Sequence, residues 1–192
     1  NMRNIVIVVG SAAPESNTLA LAQACAQGAN EAGHQTQLFL LGNEPLHGCR
    51  GCGACQLTHH CVQRDAMDQI LPAIQACDTL ILASPLYFWT ISASMKAFIE
   101  RLYVLSEKDQ YPIKDCALLM SAGDEQFWTF EQPLAYYHFL TQALGWQDLG
   151  SCLIGGCPGH GRHWEAKPAA LQKAESFGRL LGNRPKLLKA HA

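Results

Sequence analysis

Residues 4–33 read NIVIVVGSAAPESNTLALAQACAQGANEAG, and the fold follows from how this stretch divides. Asn4 to Val9 is a β-branched run with apolar side chains on both faces, the pattern of a strand covered on both sides. Residues 10–17 have turn composition and no period, whereas 18–32 are rich in Ala, Leu and Gln and end at Gly33, a helix with its C-terminal stop. The same alternation continues along the chain. Strands are expected at 36–41, 78–83, 116–121 and 149–154, and helices at 65–77, 92–105, 130–144 and 168–181. Asp65 can cap the first of these helices, Pro72 is expected to kink or break it, and Pro168 opens the last. Five strands alternating with five helices define an α/β chain with a doubly wound five-stranded parallel sheet and helices on both faces, a three-layer sandwich.

Composition narrows the function classes. Apolar residues make up 48% of the 192 and charged residues 16%, which excludes a disordered chain or a charge-laced coiled coil. A chain of this size buries about 70% of its unfolded surface, so residues 1–192 are read as one domain. Fourteen Lys and Arg against sixteen Asp and Glu offer no basic stripe for nucleic acid. The apolar run near the start is far short of a membrane span, and Asn1, standing before Met2, reads as an added residue. Nine cysteines, an odd number, cannot all pair; they are read as reduced thiols in a cytoplasmic protein, open to metal or redox roles. Residues 42–64 carry Gly, Pro and four cysteines without helical or strand period and form a long inserted loop, while 183–192 read as a basic, frayed tail.

In a doubly wound sheet the ligand sits at the carboxyl ends of the strands, near the switch point. The first loop there, Gly10-Ser11-Ala12-Ala13-Pro14-Glu15-Ser16-Asn17-Thr18, lacks the glycines of a pyrophosphate fingerprint but places three hydroxyls and an amide at a helix N-terminus. That set suits a single terminal phosphate held by neutral donors and the helix dipole, since no Lys or Arg lies between Arg3 and Arg50. The competing reading is a plain helix cap, which needs only one such residue. The second loop, Ser84-Pro85-Leu86-Tyr87-Phe88-Trp89, carries three aromatics that cannot all point inward and can wall a flat ring. In the third, Ser121-Ala122-Gly123 are small enough to let the ring approach.

These residues resemble the FMN-dependent NAD(P)H oxidoreductases of flavodoxin-like fold. Gly10-Ser11 followed by Asn17-Thr18 is similar to that family's phosphate loop, although Ala13 stands where the family often has Arg. Ser84-Pro85-Leu86-Tyr87-Phe88, then Ser92, Lys96-Ala97-Phe98 and Glu100-Arg101, looks like its S-P-V-Y-F…S…L-K-A-F-I-D-R segment, and Gly145-Trp146, Gly150, Ala174 and Gly178 also fall where the family has them. The resemblance implies FMN with its phosphate at Ser11, Ser16, Asn17 and Thr18, and its isoalloxazine against Pro85, Leu86, Tyr87, Phe88 and Trp89 and against Ser121, Ala122 and Gly123. No catalytic side chain is required, because the flavin performs the chemistry. Glu100 and Arg101 are read as a structural ion pair or interface contact.

Cys49, Cys52, Cys55 and Cys61 form C-x2-C-x2-C-x5-C with interleaved glycines. Three close cysteines plus a fourth suit a [4Fe–4S] cluster better than structural zinc, which favours two separated pairs. The loop also resembles the compact cysteine motif of iron–sulfur flavoproteins, with Asp65 and Met67 in place. The competing reading gives it packing or dimer contacts. Cys25, Cys77 and Cys116 are read as small core residues, with a structural role also for Cys152 and Cys157. His59-His60 and His160-Gly161-Arg162-His163 are read as solvated loop histidines.

The leading expectation is an enzyme passing electrons from NAD(P)H through FMN to a quinone, flavin, nitro compound or protein acceptor. The rival is a non-enzymatic electron carrier holding FMN and a cluster. Pairing into a homodimer or homotetramer is expected to wall the flavin, with neither nucleic acid nor membrane as partner.

Overall fold

The structure is a computed structural model of the chain, described here for residues 2–157 and 167–186. Its strands are β1 (Asn4–Val9), β2 (Gln35–Leu40), β3 (Thr79–Pro85), β4 (Asp115–Ser121) and β5 (Gln147–Ile154). They pair in parallel in the order β2-β1-β3-β4-β5, so the switch point lies between β1 and β3. The helices are α1 (Asn17–Glu31), α2 (Cys55–Thr58), α3 (Met67–Ala76), α4 (Ala93–Arg101), α5 (Glu131–Leu144) and α6 (Pro168–Leu180). The flavodoxin-like sandwich is therefore present, with one more helix than expected: the 42–64 segment contains α2 and a 3-10 turn at Leu41–Asn43.

Alternate residues of each strand enter different cores, because successive side chains point to opposite faces. Ile5, Ile7, Val9, Ile81, Ala83, Ala117 and Leu119 pack with Leu21, Ala22, Cys25 and Ala174 under α1 and α6. Val6, Val8, Leu80, Leu82, Leu118 and Met120 pack with Met67, Ile70, Ile74, Met95, Phe98 and Tyr137 under α3, α4 and α5. Cys25, Cys77, Cys116, Cys152 and Cys157 are all buried, as small core residues should be. Burial pushes the Cys25 thiol up to about 12 and the Cys152 thiol up to about 11, so both stay protonated.

The break that Pro72 allows does not occur. Helix α3 runs unbroken through Pro72 to Ala76. Pro72 is exposed in the second turn and Asp68, whose carbonyl loses its helical partner, is also exposed, a position where water can take the missing bond. The first residues of the basic tail are bonded to the sheet. Arg3 Nη2 donates to Arg184 O at 2.6 Å, Arg184 Nη1 to Asp148 O at 2.5 Å, Gln147 Nε2 to Pro185 O at 3.0 Å and Lys186 Nζ to Asp78 Oδ2 at 2.6 Å. Residues 183–186 thus strap the amino edge of the sheet, where Arg3 pairs with Asp115 and donates to Thr79 Oγ1 at 3.0 Å, all three buried. Residues 187–192 and the 160–163 histidine segment lie outside the described residues.

Helices α1 and α6 cross at backbone contact. A Cβ on Gly178 would stand 1.9 Å from Cys25 O, and one on Gly28 would stand 1.9 Å from Glu175 O. Neither carbonyl can give without moving a helix. Gly178→Ala is expected to lower unfolding free energy by about 1–3 kcal/mol, read as a lower urea midpoint with unchanged slope.

Candidate functional site

Register brings the three ligand-edge loops together. Val9 pairs with Ala83, and Pro85 with Ser121, so the chain leaves β1, β3 and β4 side by side. Ser121 ties them at one point: its hydroxyl hydrogen-bonds Thr18 Oγ1 at 2.9 Å and its carbonyl accepts from Leu86 N at 2.8 Å. Gly10 N donates to Ala83 O at 2.7 Å, and Ser92 Oγ, at the N-cap of α4, donates to Gly10 O at 2.6 Å. Cys157 N donates to Ala122 O at 2.9 Å, which closes the third loop against the chain after β5.

In the loop between β1 and α1 the structure shows the helix cap. Ser16 is the N-cap of α1, and its hydroxyl accepts from Leu19 N at 3.0 Å. A hydroxyl that accepts one bond retains its own O–H, so capping does not consume the donor a phosphate would use. Ser11 is in the same state, its oxygen accepting from Ala13 N at 3.3 Å. Ser11 and Thr18 are buried, and Asn17 is the first residue of a fifteen-residue helix. The donor set fits an anion that is desolvated at a helix N-terminus.

Pro85 and Leu86 are half-buried, while Tyr87, Phe88 and Trp89 are 49%, 95% and 50% exposed, so none of the three aromatics is a core residue. Tyr87 and Thr90 exchange backbone bonds at 2.9 and 3.1 Å around Phe88 and Trp89, both at positive φ (45° and 59°). This is the backbone of a turn usually built from Asn-Gly, and each bulky residue in it costs about 1–2 kcal/mol. The turn leaves the rings outside the core, at the carboxyl end of β3.

Sequence reasoning missed part of this surface. Trp89 stacks on Trp128, with centroids 6.1 Å apart and planes at 30°, and Phe127 beside it is 92% exposed. The tripeptide Phe-Trp-Thr occurs at residues 88–90 and again at 127–129, a repetition that would have pointed to the second half. Thr129 Oγ1 donates to Asp124 Oδ2 at 2.7 Å and fixes the bend that presents Trp128.

Cys49, Cys52, Cys55 and Cys61 line one pocket with Gly53, Gln63 and Tyr103. Gly51 and Gly53 take positive φ (66° and 71°), as the interleaved glycines predicted, and turn the chain into the short helix α2. Among the described residues no three His, Cys, Asp or Glu side chains converge as ligands of a single ion. The four thiols border the same pocket, the donor type that iron–sulfur clusters use. His59 and His60 are exposed.

The pairing of Glu100 with Arg101 is corrected. Arg101 binds Asp65 bidentately, Nη1 to Oδ2 at 2.6 Å and Nη2 to Oδ1 at 3.1 Å, with both side chains buried. Glu100 instead accepts from Lys96 Nζ at 2.7 Å and from Cys49 N at 3.2 Å. Neighbouring helix positions point in different directions, so the inward Arg101 takes a partner from another segment. Asp65 does not serve as the N-cap of α3, a position held by Ala66, but its Oδ1 accepts from Met67 N at 3.1 Å.

A parallel sheet in the order β2-β1-β3-β4-β5 with helices on both faces defines the flavodoxin-like fold class. The sequence profile of the NADPH-dependent FMN reductases matches residues 3–151, and the chain belongs to that family. An iron–sulfur flavoprotein of Methanosarcina thermophila is 32% identical over 153 residues, covering 80% of this chain and 77% of that one. Another, from Archaeoglobus fulgidus, is 32% identical over 95 residues, covering 50% of this chain and 43% of its own. The chain thus spans about half the length of several curated relatives it matches. In three dimensions the NAD(P)H:quinone oxidoreductase of Methanothermobacter marburgensis superposes with a TM-score of 0.74 at 17% identity, covering 96% of this chain and 98% of that one. Among the described residues no helix is long and apolar enough to cross a membrane.

Burial alone would raise the Asp65 carboxyl, but the Arg101 guanidinium and the Met67 N–H hold it below its ordinary 3.8. A carboxyl lowered in the folded state contributes stability that is present above the unfolded value and lost as pH falls through the folded one. At neutral pH Asp65→Asn is expected to cost about 3–5 kcal/mol. That gap to the wild type, followed by urea unfolding, should narrow as the pH is taken below 3.8.

Proposed function

We propose that the chain is an FMN-dependent NAD(P)H oxidoreductase whose electrons pass to a quinone, flavin or similar acceptor. The observation that carries this reading is the convergence on Ser121 of the hydroxyl-lined helix N-terminus and the aromatic turn. The redox chemistry is supplied by FMN when bound, two electrons arriving as the hydride of NAD(P)H and leaving to the acceptor. Ser11, Ser16, Asn17 and Thr18 would hold the terminal phosphate, Ser11 and Ser16 through their unspent O–H groups and the helix through its positive end. Backbone of Pro85, Leu86, Tyr87, Phe88 and Trp89 and of Ser121, Ala122 and Gly123 would orient the ring, and the exposed aromatics would exclude water from its face. No side chain need donate or remove a proton in the hydride step.

In the purified protein, Ser11→Ala with Thr18→Ala is expected to remove most of the bound FMN and, with it, quinone-dependent NAD(P)H oxidation. Full flavin content in the double variant refutes the phosphate assignment, and inertness of the yellow wild type toward both nicotinamides refutes the enzyme.

The shared pocket and the relatives named iron–sulfur flavoproteins favour a second reading. Here Cys49, Cys52, Cys55 and Cys61 hold a [4Fe–4S] cluster, and the protein relays electrons between partner proteins. A broad brown absorption with about four irons per chain after anaerobic purification supports it; a flavin spectrum without iron rejects it.

We also propose a homodimer or homotetramer, because Phe88 and Phe127 stand almost fully exposed beside the Trp89–Trp128 stack. Phe88→Glu with Phe127→Glu should reduce the sedimenting mass to that of one chain while leaving the circular dichroism unchanged.

A further inference from the structure

The cysteine loop closes on itself around a pocket whose wall includes an unspent acceptor. Gln63 Nε2 donates to Gly48 O at 3.0 Å and joins the two ends of the loop. Only the amide nitrogen can donate to a carbonyl, so this bond fixes which amide atom is Oε1. Gln63 is 9% exposed, and its Oε1 is buried with no partner among the described residues. A buried acceptor without a donor is costly, and it persists where a ligand or a water completes it.

Gln63 lines the same pocket as the four cysteines, Arg50 and Tyr103. The lining therefore combines sulfur nucleophiles, an oxygen that calls for an N–H donor and a cation that calls for a carboxylate. Cys49 and Cys52 are exposed, whereas Cys55 and Cys61 are half-buried. Gly51 N donates to Cys49 Sγ at 3.4 Å and orients that sulfur, and Gly51, at φ 66°, bends the two-residue link to Cys52. Among the described residues no three of these side chains converge as ligands of one ion, whereas sulfur exchange needs only two thiols at a time.

We propose that this pocket is a thiol–disulfide exchange site for a low-molecular-weight disulfide that carries an N–H donor and a carboxylate. Cys49, as thiolate, attacks one sulfur of that ligand; the ligand's S–S bond breaks, and the departing thiolate takes up the proton that Cys49 gave. Cys52 then attacks Cys49 Sγ, releases the second thiol in the same way and leaves a disulfide between residues 49 and 52. In sum the chain loses two hydrogens and two electrons, and one ligand disulfide becomes two thiols. Gln63 Oε1 accepts from the ligand N–H and Arg50 pairs with its carboxylate. The site asks nothing of the flavin, and it uses thiols that the second reading gives to iron, so the two are alternatives.

The test is anaerobic incubation of the purified full chain with glutathione disulfide, read by intact mass, peptide mapping and released glutathione. The wild type is expected to release two glutathiones and end two hydrogens lighter, with residues 49 and 52 joined, while Cys52→Ser keeps one glutathione on Cys49. Gln63→Leu and Arg50→Ala should each lower the rate at limiting glutathione disulfide by about tenfold. Both should match the wild type with hydroxyethyl disulfide, which has neither N–H nor carboxylate. If Gln63→Leu fails to fold, Arg50→Ala, at an exposed position, decides. A wild type that stays reduced, a disulfide at another pair, or variants equal to wild type with glutathione disulfide overturn the site. Unreactive thiols together with about four irons per chain overturn it in favour of the cluster and leave the FMN reading standing.

Discussion

Every strand of a parallel sheet must bury both of its faces, and the rest of this molecule follows from that constraint. Covering two faces requires helices above and below, which forces each strand to be followed by a crossover and all strands to end on the same edge. The edge at which β1, β3 and β4 finish is then the one place where backbone amides, a helix N-terminus and loop side chains can gather without disturbing either core. Ser121 illustrates the economy of this arrangement, since its hydroxyl reaches Thr18 and its carbonyl receives Leu86 N–H from two different crossovers.

The opposite edge does the complementary work. Arg3 and Asp115 are buried at the amino ends of β1 and β4, and residues 183–186 lie across them. Removing one partner of a buried ion pair strands the other charge, and here Thr79 Oγ1 and the Arg184 carbonyl accept from the two Arg3 Nη atoms, while Arg3 Nε and Asp115 Oδ1 have no partner among the described residues. Buried charge is thereby gathered at one edge, while at the other the turn at Phe88 and Trp89 takes a strained backbone.

Much of the candidate site was legible as local pattern. Hydroxyls at a helix start, an aromatic run after a strand and cysteines at cluster-like spacing are local signals, each read within a few residues. What escaped was pairing between segments. Trp128 meets Trp89 only because the loop after β4 folds back beside the loop after β3. Arg101 and Asp65 are 36 residues apart, and adjacency in sequence made Glu100 look like the partner although it points toward Lys96 and Cys49. Pro72 was a sound local signal for a break, overridden because its turn faces water.

By itself the sequence determined the alternation of strand and helix, the α/β layering and the residue types at the ligand edge, because burial on two faces or on one stripe leaves a periodic trace along the chain. The tertiary structure alone decided which charges are neutralised by which, that four cysteines share one pocket and that residues 184–186 bond to the amino edge of the sheet. Those outcomes depend on distances between segments remote in sequence, and a one-dimensional pattern carries no record of which remote carboxylate pairs with a buried guanidinium.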